Sequence, residues 1–509
     1  MRRPVLPLAL LVLACNSGIP PGLKYYWSSD PRSLDPALST DVPTGEAVTL
    51  LFDNLAEFDA EGRLAPGLAS AWWPSADGRT WSFRLRSGVR FHDGRPVDVA
   101  AIKASFLRAL AMGKRGGRVW PLLPIDGAAA VIDSGAATLR GFAVIDDSTI
   151  AFTLTQPLNI FPKLLAMPVA AIVPTPVPED FGEAPVGSGP WKFVSWSHDD
   201  LLVFARNDNW WGGAPAADTL RVRIIPEVFT EAAEYESGRL SVVEIPGGET
   251  ERWQATHGAE LQRRTAIRAW YVAINTRRGA LADVRVRQAL NHAVNIPAIL
   301  ARVMHGRGVA AAGSIPPGLD GYDSTRARYS YDPALARQLL AAAGHSNDLH
   351  LQLWRSTRAE FARIAQAIQE NLRQVGVAVE IVERDPATAR AAARHGDADL
   401  FLSDWWADYP DGENFTYPLF HSGNAGTGGN YAFLNVPALD SMLVEARTTT
   451  DSALKVTLLR RIDARVFELA PWIFCWFPSD LWAMRPEVHG WRYPLVFTGQ
   501  RWTHVTIAP

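Results

Sequence analysis

The stretch "DLHLQLWRSTRAEFARIAQAIQENLRQVGVAVEIVERDPATARAAARHGDADLFLS", residues 348–403, decides the fold. Leu349, Leu351 and Leu353 alternate with polar residues, the period of a strand with one buried face. Residues 357–375 then place Phe361, Ile364, Ala365, Ile368, Leu372 and Val375 on one helical face, and Gly376 ends the run. "VAVEIV" predicts a second strand, 386–394 a second helix, and "ADLFLS" a third strand. A β-α-β-α-β order predicts an α/β unit whose neighbouring strands run parallel.

Towards the N-terminus the helical signals continue and then give way to strands. Asp332-Pro333 offers a cap followed by proline at the first helical position, with Gly344 as the stop. Asp283 caps a helix whose inward positions are Val286, Ala289, Leu290, Ala293 and Val294. Arg285, Arg287 and Arg302 read as a solvated helix face. In the first half, Trp81, Phe83 and Leu85 alternate with Ser82, Arg84 and Arg86, and "FAVIDDSTIAFTL" reads as a hairpin turning at Asp146-Asp147. "FARNDNWWGGAPAADTLRVRIIP" reads as two strands around a packed turn in which glycine permits positive φ. "FHDGRP" around His92 reads as a turn rather than a catalytic group.

Towards the C-terminus the third strand runs into "SDWWADYPDGENF", residues 403–415. If the strand ends there, this segment lies at the carboxyl end of a strand in an open α/β sheet, where ligands of such sheets bind. Trp405 and Trp406 are adjacent, so on a strand they face opposite ways and one of them meets a ligand. Asp404, Asp408 and Asp411 could supply an acid pair for glycoside hydrolysis, with tryptophan platforms beside them. Nothing in the sequence sets two such groups across a sugar. No zincin, nucleophile-elbow or phosphate-loop motif occurs, and the eleven histidines are scattered. No metal or cofactor is expected.

Composition narrows the classes further. The chain has 509 residues, 48% hydrophobic and 20% charged, enough for about three globular units. A formal net charge of −3 leaves no basic excess for nucleic acid. Arg2 and Arg3 precede an apolar run from Val5 to Ala14, too short to span a bilayer. The run ends at Val12-Leu13-Ala14-Cys15, which resembles a bacterial lipoprotein processing box, so 1–15 is expected to be a signal segment with Cys15 lipidated; an ordinary signal peptide is the alternative. The other cysteine, Cys475, sits in "APWIFCWFP" and reads as a small buried hydrophobe.

Four segments in series resemble the extracellular solute-binding proteins of ABC importers, the family of dipeptide, oligopeptide and nickel binders (family 5). They are residues 33–97 ("SLDPALSTDVPTGEAVTLLFDNL" onward), 186–227 ("VGSGPWKFVSW" to "RVRIIPE"), 281–295 ("LADVRVRQALNHAVN") and 405–420 ("WWADYPDGENFTYPLF"). The resemblance implies a two-lobed α/β periplasmic-binding-protein fold, type II-like, with an inserted subdomain and hinge closure over a central cleft. It implies 24–60, 185–265 and 480–509 as the first lobe, 61–184 as the insert and 266–479 as the second lobe. Hinge crossings are expected near "AIRAWYV" and "APWIFCWF".

The same resemblance carries Asp408 over as the acceptor of a peptide's ammonium group, with Trp405 and Trp406 as wall positions. A cap of the following turn is the other reading of Asp408. Asp404 stands where peptide binders of the family often carry glycine, and Gly412 where they often carry proline, so the ligand is open to differ from a typical peptide. Tyr431, in the glycine-rich rim 421–431, is a further wall candidate. So are Trp27 and Ser29 in "YYWSSDP", for which ordinary turn chemistry is the alternative. The expected partners are a peptide or small polar ligand and the permease and ATPase subunits. The chain is expected to be a monomer, exported, and tied to the membrane through the lipid alone. An exported glycosidase, or a binding lipoprotein that senses or scaffolds, are the competing readings.

Overall fold

The computed structural model describes residues 22–426 and 428–508; the expected signal segment with Cys15 lies outside them. The deciding stretch forms its three strands. Leu349–Ser356 pairs in parallel with Val377–Arg384 on one side and with Leu400–Trp406 on the other. Helices Ala359–Arg373 and Pro386–His395 make the connections. Asp283, Asp332 and Asp385 each accept main-chain N–H groups at the start of their helices, contacts typically worth about 1 kcal/mol apiece.

Two expectations need correction. The third strand does not end at Ser403 but continues to Trp406, because Arg268–Ile274 pairs antiparallel along its full length, with Arg268 opposite Trp406. Arg287 is not on a solvated face. It is buried, and its guanidinium donates to the carbonyls of Leu469, Leu281 and Ala282, which ties its helix to the end of Ser452–Leu469. Arg285 and Arg302 are exposed.

These strands belong to a mixed eight-stranded sheet whose spine is Trp472–Met484, 13 residues long. The first part of the spine pairs with Arg268–Ile274 and Gly308–Ala310, the last part with Leu261–Thr265 and Val242–Glu244. Side chains alternate along it, so Trp472 and Phe474 enter one core while Ile473 and Cys475 enter a second. Further along, Leu481, Trp482 and Ala483 enter a third. One strand thus contributes to three cores.

The third core lies against a four-stranded sheet in which Leu23–Trp27 runs parallel to Thr219–Ile224. The turn before Thr219 is fixed by the buried Asp53, which accepts the indole N–H groups of Trp210 and Trp211 at 3.2 and 3.1 Å and pairs with Arg501. Gly213 there has φ 93°. A separate antiparallel sheet is built from Ala69–Pro74, Thr80–Leu85, Thr149–Thr153 and Phe142–Asp146. The helix Val99–Ala111 covers it, with the rings of Phe106 and Phe152 4.9 Å apart. The architecture is a two-lobed α/β fold carrying an additional sheet.

Candidate functional site

The sheet register builds the site. Arg268 stands opposite Trp406 and Trp270 opposite Asp404, so these four side chains share one face. Arg268 Nη2 lies 2.6 Å from Asp404 Oδ2, and its guanidinium covers the rings of Trp406 and Trp270 at 4.4 and 4.9 Å. Arg358, just ahead of Ala359–Arg373, takes the other Asp404 oxygen at 2.9 Å and lies over Trp270 and Phe361. Trp406, Arg268, Trp270, Arg358 and Phe361 therefore form a ladder of alternating rings and cations, pinned by one carboxylate. Each such contact contributes roughly 0.5–1 kcal/mol at a solvated position and more where water is excluded.

The adjacent tryptophans divide as strand geometry requires. Trp405 packs against the other face of the sheet, and its Nε1 donates to Asn414 Oδ1 at 3.1 Å. Trp406 is 55% exposed.

Beside the ladder lies a cavity of about 470 Å³, lined by Glu244, Arg268, Trp270, Arg307, Glu360 and Asp480 among others. Glu244 comes from the sheet edge on one side of the spine, Arg268 and Trp270 from the strand on its other side, and Asp480 from the spine itself. The cavity thus sits where the chain passes between its cores. Burial, with Asp480 nearby, pushes the Glu244 carboxyl up to about 8. Burial also raises Asp480, against the hydroxyl of Tyr493, which donates to it at 2.9 Å. Arg307 is buried and fully engaged, donating to the carbonyls of Ile245 and Pro246 and to Thr250 Oγ1. None of these lining residues was singled out from the sequence. The signal that could have found them is a lone charge inside an apolar run: "SVVEIP", "AIRAWYV" and "FPSDLW".

Asp408 stands after the end of the strand, with Oδ1 3.3 Å from Nη2 of Arg118. Burial raises its pKa, and Arg118 and Asn414 act against that rise. The turn that follows, Gly412–Phe415, is capped by Asp411 and not by Asp408. Asp411 is buried between Lys163 and Lys455, at 2.7 and 2.6 Å. Burial alone would raise its pKa, but the two ammonium groups hold it well below the ordinary carboxylate range. Glu413 is buried too, paired with Arg447 at 2.7 Å and accepting from the Tyr409 hydroxyl. Asp404, Asp408 and Asp411 are thus engaged by separate sets of cations, two for Asp404, one for Asp408 and two for Asp411.

The remaining candidates lie elsewhere. Trp27 is buried at its strand end, with its indole donating to Glu46, and Ser29 is exposed in the bend that follows. Tyr431 is half-buried, edge-on to Phe401 at 5.3 Å. None of the three lines the 470 Å³ cavity. His92 lies in the expected turn, with a ring nitrogen 3.0 Å from the Gly189 carbonyl oxygen and Gly94 at φ 90°. Among the described residues no group of three or more His, Cys, Asp or Glu is placed to hold a metal, and no helix is long and apolar enough to cross a membrane.

Comparison with known proteins adds the following. The family model described as bacterial extracellular solute-binding proteins, family 5 (middle), matches residues 63–427. The chain is 28% identical to the dipeptide-binding protein of Escherichia coli (strain K12) over 489 residues, covering 92% of this chain and 91% of that one. It is 31% identical to the glutathione-binding protein GsiB of Pectobacterium atrosepticum over 456 residues, covering 87% and 86%. Among solved structures it is similar to clavulanic acid biosynthesis oligopeptide binding protein 2, with TM-score 0.85, 26% identity and coverage of 96% and 95%.

Proposed function

Since the chain belongs to the bacterial extracellular solute-binding proteins of family 5, we propose that it is the substrate-binding lipoprotein of an ABC import system. It captures short peptides or a related small polar solute between its lobes and delivers them to the permease. Its relatives are binding proteins, and the chain carries out no chemistry of its own.

The ligand class is supported by two partly exposed groups of opposite charge, Asp408 and Arg358. Asp408 is a half-buried carboxylate, and its one ion-pair partner among the described residues, Arg118, is half-exposed. It suits an ammonium group that becomes buried on closure, because leaving such a charge unpaired is costly. Arg358 is half-exposed and precedes a helix that lacks a side-chain cap, so it suits a carboxylate. A zwitterion offers each of them a group of the opposite sign. Trp406 supplies the flat wall. Peptide main chain can add hydrogen bonds that do not depend on side-chain identity.

We further assign 24–60, 185–265 and 480–509 to the first lobe, 61–184 to the insert and 266–479 to the second lobe, with closure by rotation about the crossings near "AIRAWYV" and "APWIFCWF". The change of partners along the Trp472–Met484 strand supports this division. Cys15 is the lipid attachment point, and the protein works as a monomer at the membrane surface.

The test is native mass spectrometry of the protein as isolated from its envelope fraction, followed by thermal melting with peptides, sugars and metal chelates. A ligand that binds only the folded state raises the melting temperature with the logarithm of its excess. Co-purified peptide and shifts confined to peptides support the reading. Shifts confined to sugars or chelates contradict it.

A further inference from the structure

The 470 Å³ cavity contains two carboxylates that the zwitterion reading leaves unused. Glu244 lies opposite Trp482 in the sheet, and Asp480 is two residues from Trp482 on the same strand, so both carboxylates share one face. The Asp480 charge is close enough to raise the Glu244 pKa. Arg268, Arg307, Arg363 and His305 line the cavity too, and Arg268 and Arg307 act on both carboxylates while also holding other partners. Arg307 donates all three of its nitrogens to Ile245, Pro246 and Thr250, and Arg268 is paired with Asp404. Tyr493 donates to Asp480, whereas no hydrogen bond among the described residues ends on the Glu244 carboxylate.

Two further observations point to an absent organic group. Trp270 lines the same cavity, is 2% exposed, and has a buried indole N–H with no partner among the described residues. A donor buried in this state costs roughly 1–3 kcal/mol unless something accepts from it. Val228 and Phe229 line the cavity too, and Phe229 is 66% exposed, an apolar surface suited to a methylene stem. Glu360 adds a third carboxylate to the lining.

We propose that Glu244 and Asp480 form a subsite for an organic cation, so that the captured solute carries a basic side group on an aliphatic stem, as lysine and arginine side chains do. Trp270 then donates to a carbonyl or carboxylate of the same solute. This deepens the proposed function and rests on it for the identity of the solute, but not for the charge preference of the cavity.

The test is calorimetric titration of the full chain with Ala-Lys-Ala, with its norleucine isostere, and with free cadaverine, repeated on Glu244→Gln and Asp480→Asn. The expected result is that the lysine peptide binds at least about tenfold more tightly than the isostere, and that each variant removes most of this ratio while leaving isostere affinity unchanged. Cadaverine is expected to bind the wild type and lose affinity in both variants. Equal affinity for the two peptides, with no binding of cadaverine, overturns the subsite and leaves the peptide reading standing. Binding of cadaverine by the wild type alone, with neither peptide bound, upholds the subsite and overturns the peptide reading.

Discussion

Arg268 and Asp404 lie 136 residues apart in sequence and meet on neighbouring antiparallel strands, with Nη2 2.6 Å from Oδ2 and both side chains largely buried. Asp404 is the position at which the sequence resemblance led us to expect a departure from the family's peptide binders. Its charge is answered from within the protein, by Arg268 and Arg358. Changing Asp404→Asn strands a buried guanidinium, and the expected loss of stability is about 3 kcal/mol. Arg358 adds little to that loss because water screens it. Urea unfolding checks the value, and a change below about 0.5 kcal/mol contradicts the pairing.

Trp405 and Trp406 differ in their packing, and their substitutions should differ in effect. Trp405→Ala opens a hole in the core and is expected to cost about 3 kcal/mol of stability. Trp406→Ala is expected to cost under about 1 kcal/mol yet to weaken ligand binding. Thermal melting and calorimetry on the two variants separate these outcomes, and a reversed order contradicts the assignment of faces.

Asp411 makes stability depend on acid. Its folded pKa lies below the ordinary aspartate value of 3.8, held down by Lys163 and Lys455. Its contribution is therefore complete above that value and is lost as the pH falls through the folded value. Asp411→Asn is expected to destabilise the protein by about 3 kcal/mol at pH 7, with the gap from wild type closing in strong acid. A gap of constant size down to pH 2, which lies below the 3.8 value, contradicts this account.

Glu244 gives the opposite slope. Its pKa rises from 4.5 to about 8 on folding, so the folded state holds a proton that the unfolded state has released. Its contribution is complete below 4.5 and is lost as the pH rises through about 8. The charged groups that act on it are Asp480 and Glu231, which raise its pKa, and Arg307 and Arg268, which lower it. Ligand-free Glu244→Gln is expected to melt higher than wild type at pH 8.5, with the difference shrinking by pH 5. A difference that does not vary with pH counts against a protonated Glu244.

The parts of the fold that could be read from the sequence are those fixed by local rules. Leu349, Leu351 and Leu353 alternate, Phe361 to Val375 keep a helical spacing, and Asp-Pro pairs at 332–333 and 385–386 start helices. All of these depend on neighbours within a few residues. The spine strand Trp472–Met484 could be seen only as an apolar run, because its length and its change of partners depend on pairings more than 160 residues away. The extension to Trp406 was hidden for the same reason: it takes Arg268–Ile274 to pull it out. The cavity was the least legible part. Glu244, Trp270, Glu360 and Asp480 come from four separate segments, and only the fold makes them neighbours. Arg287 was misread because spacing shows which way a side chain leaves a helix but not whether a row of carbonyls is waiting for it.

The central claim is that the cleft closes on a peptide whose ammonium group reaches Asp408, and calorimetric titration of free and N-acetylated forms of one short peptide into wild type and Asp408→Ala tests it most directly. The account predicts that acetylation and the substitution each weaken binding by about 2–5 kcal/mol, and that together they cost little more than either alone. Equal affinity of wild type and variant for the free peptide, or tight binding of the acetylated peptide by the wild type, contradicts it.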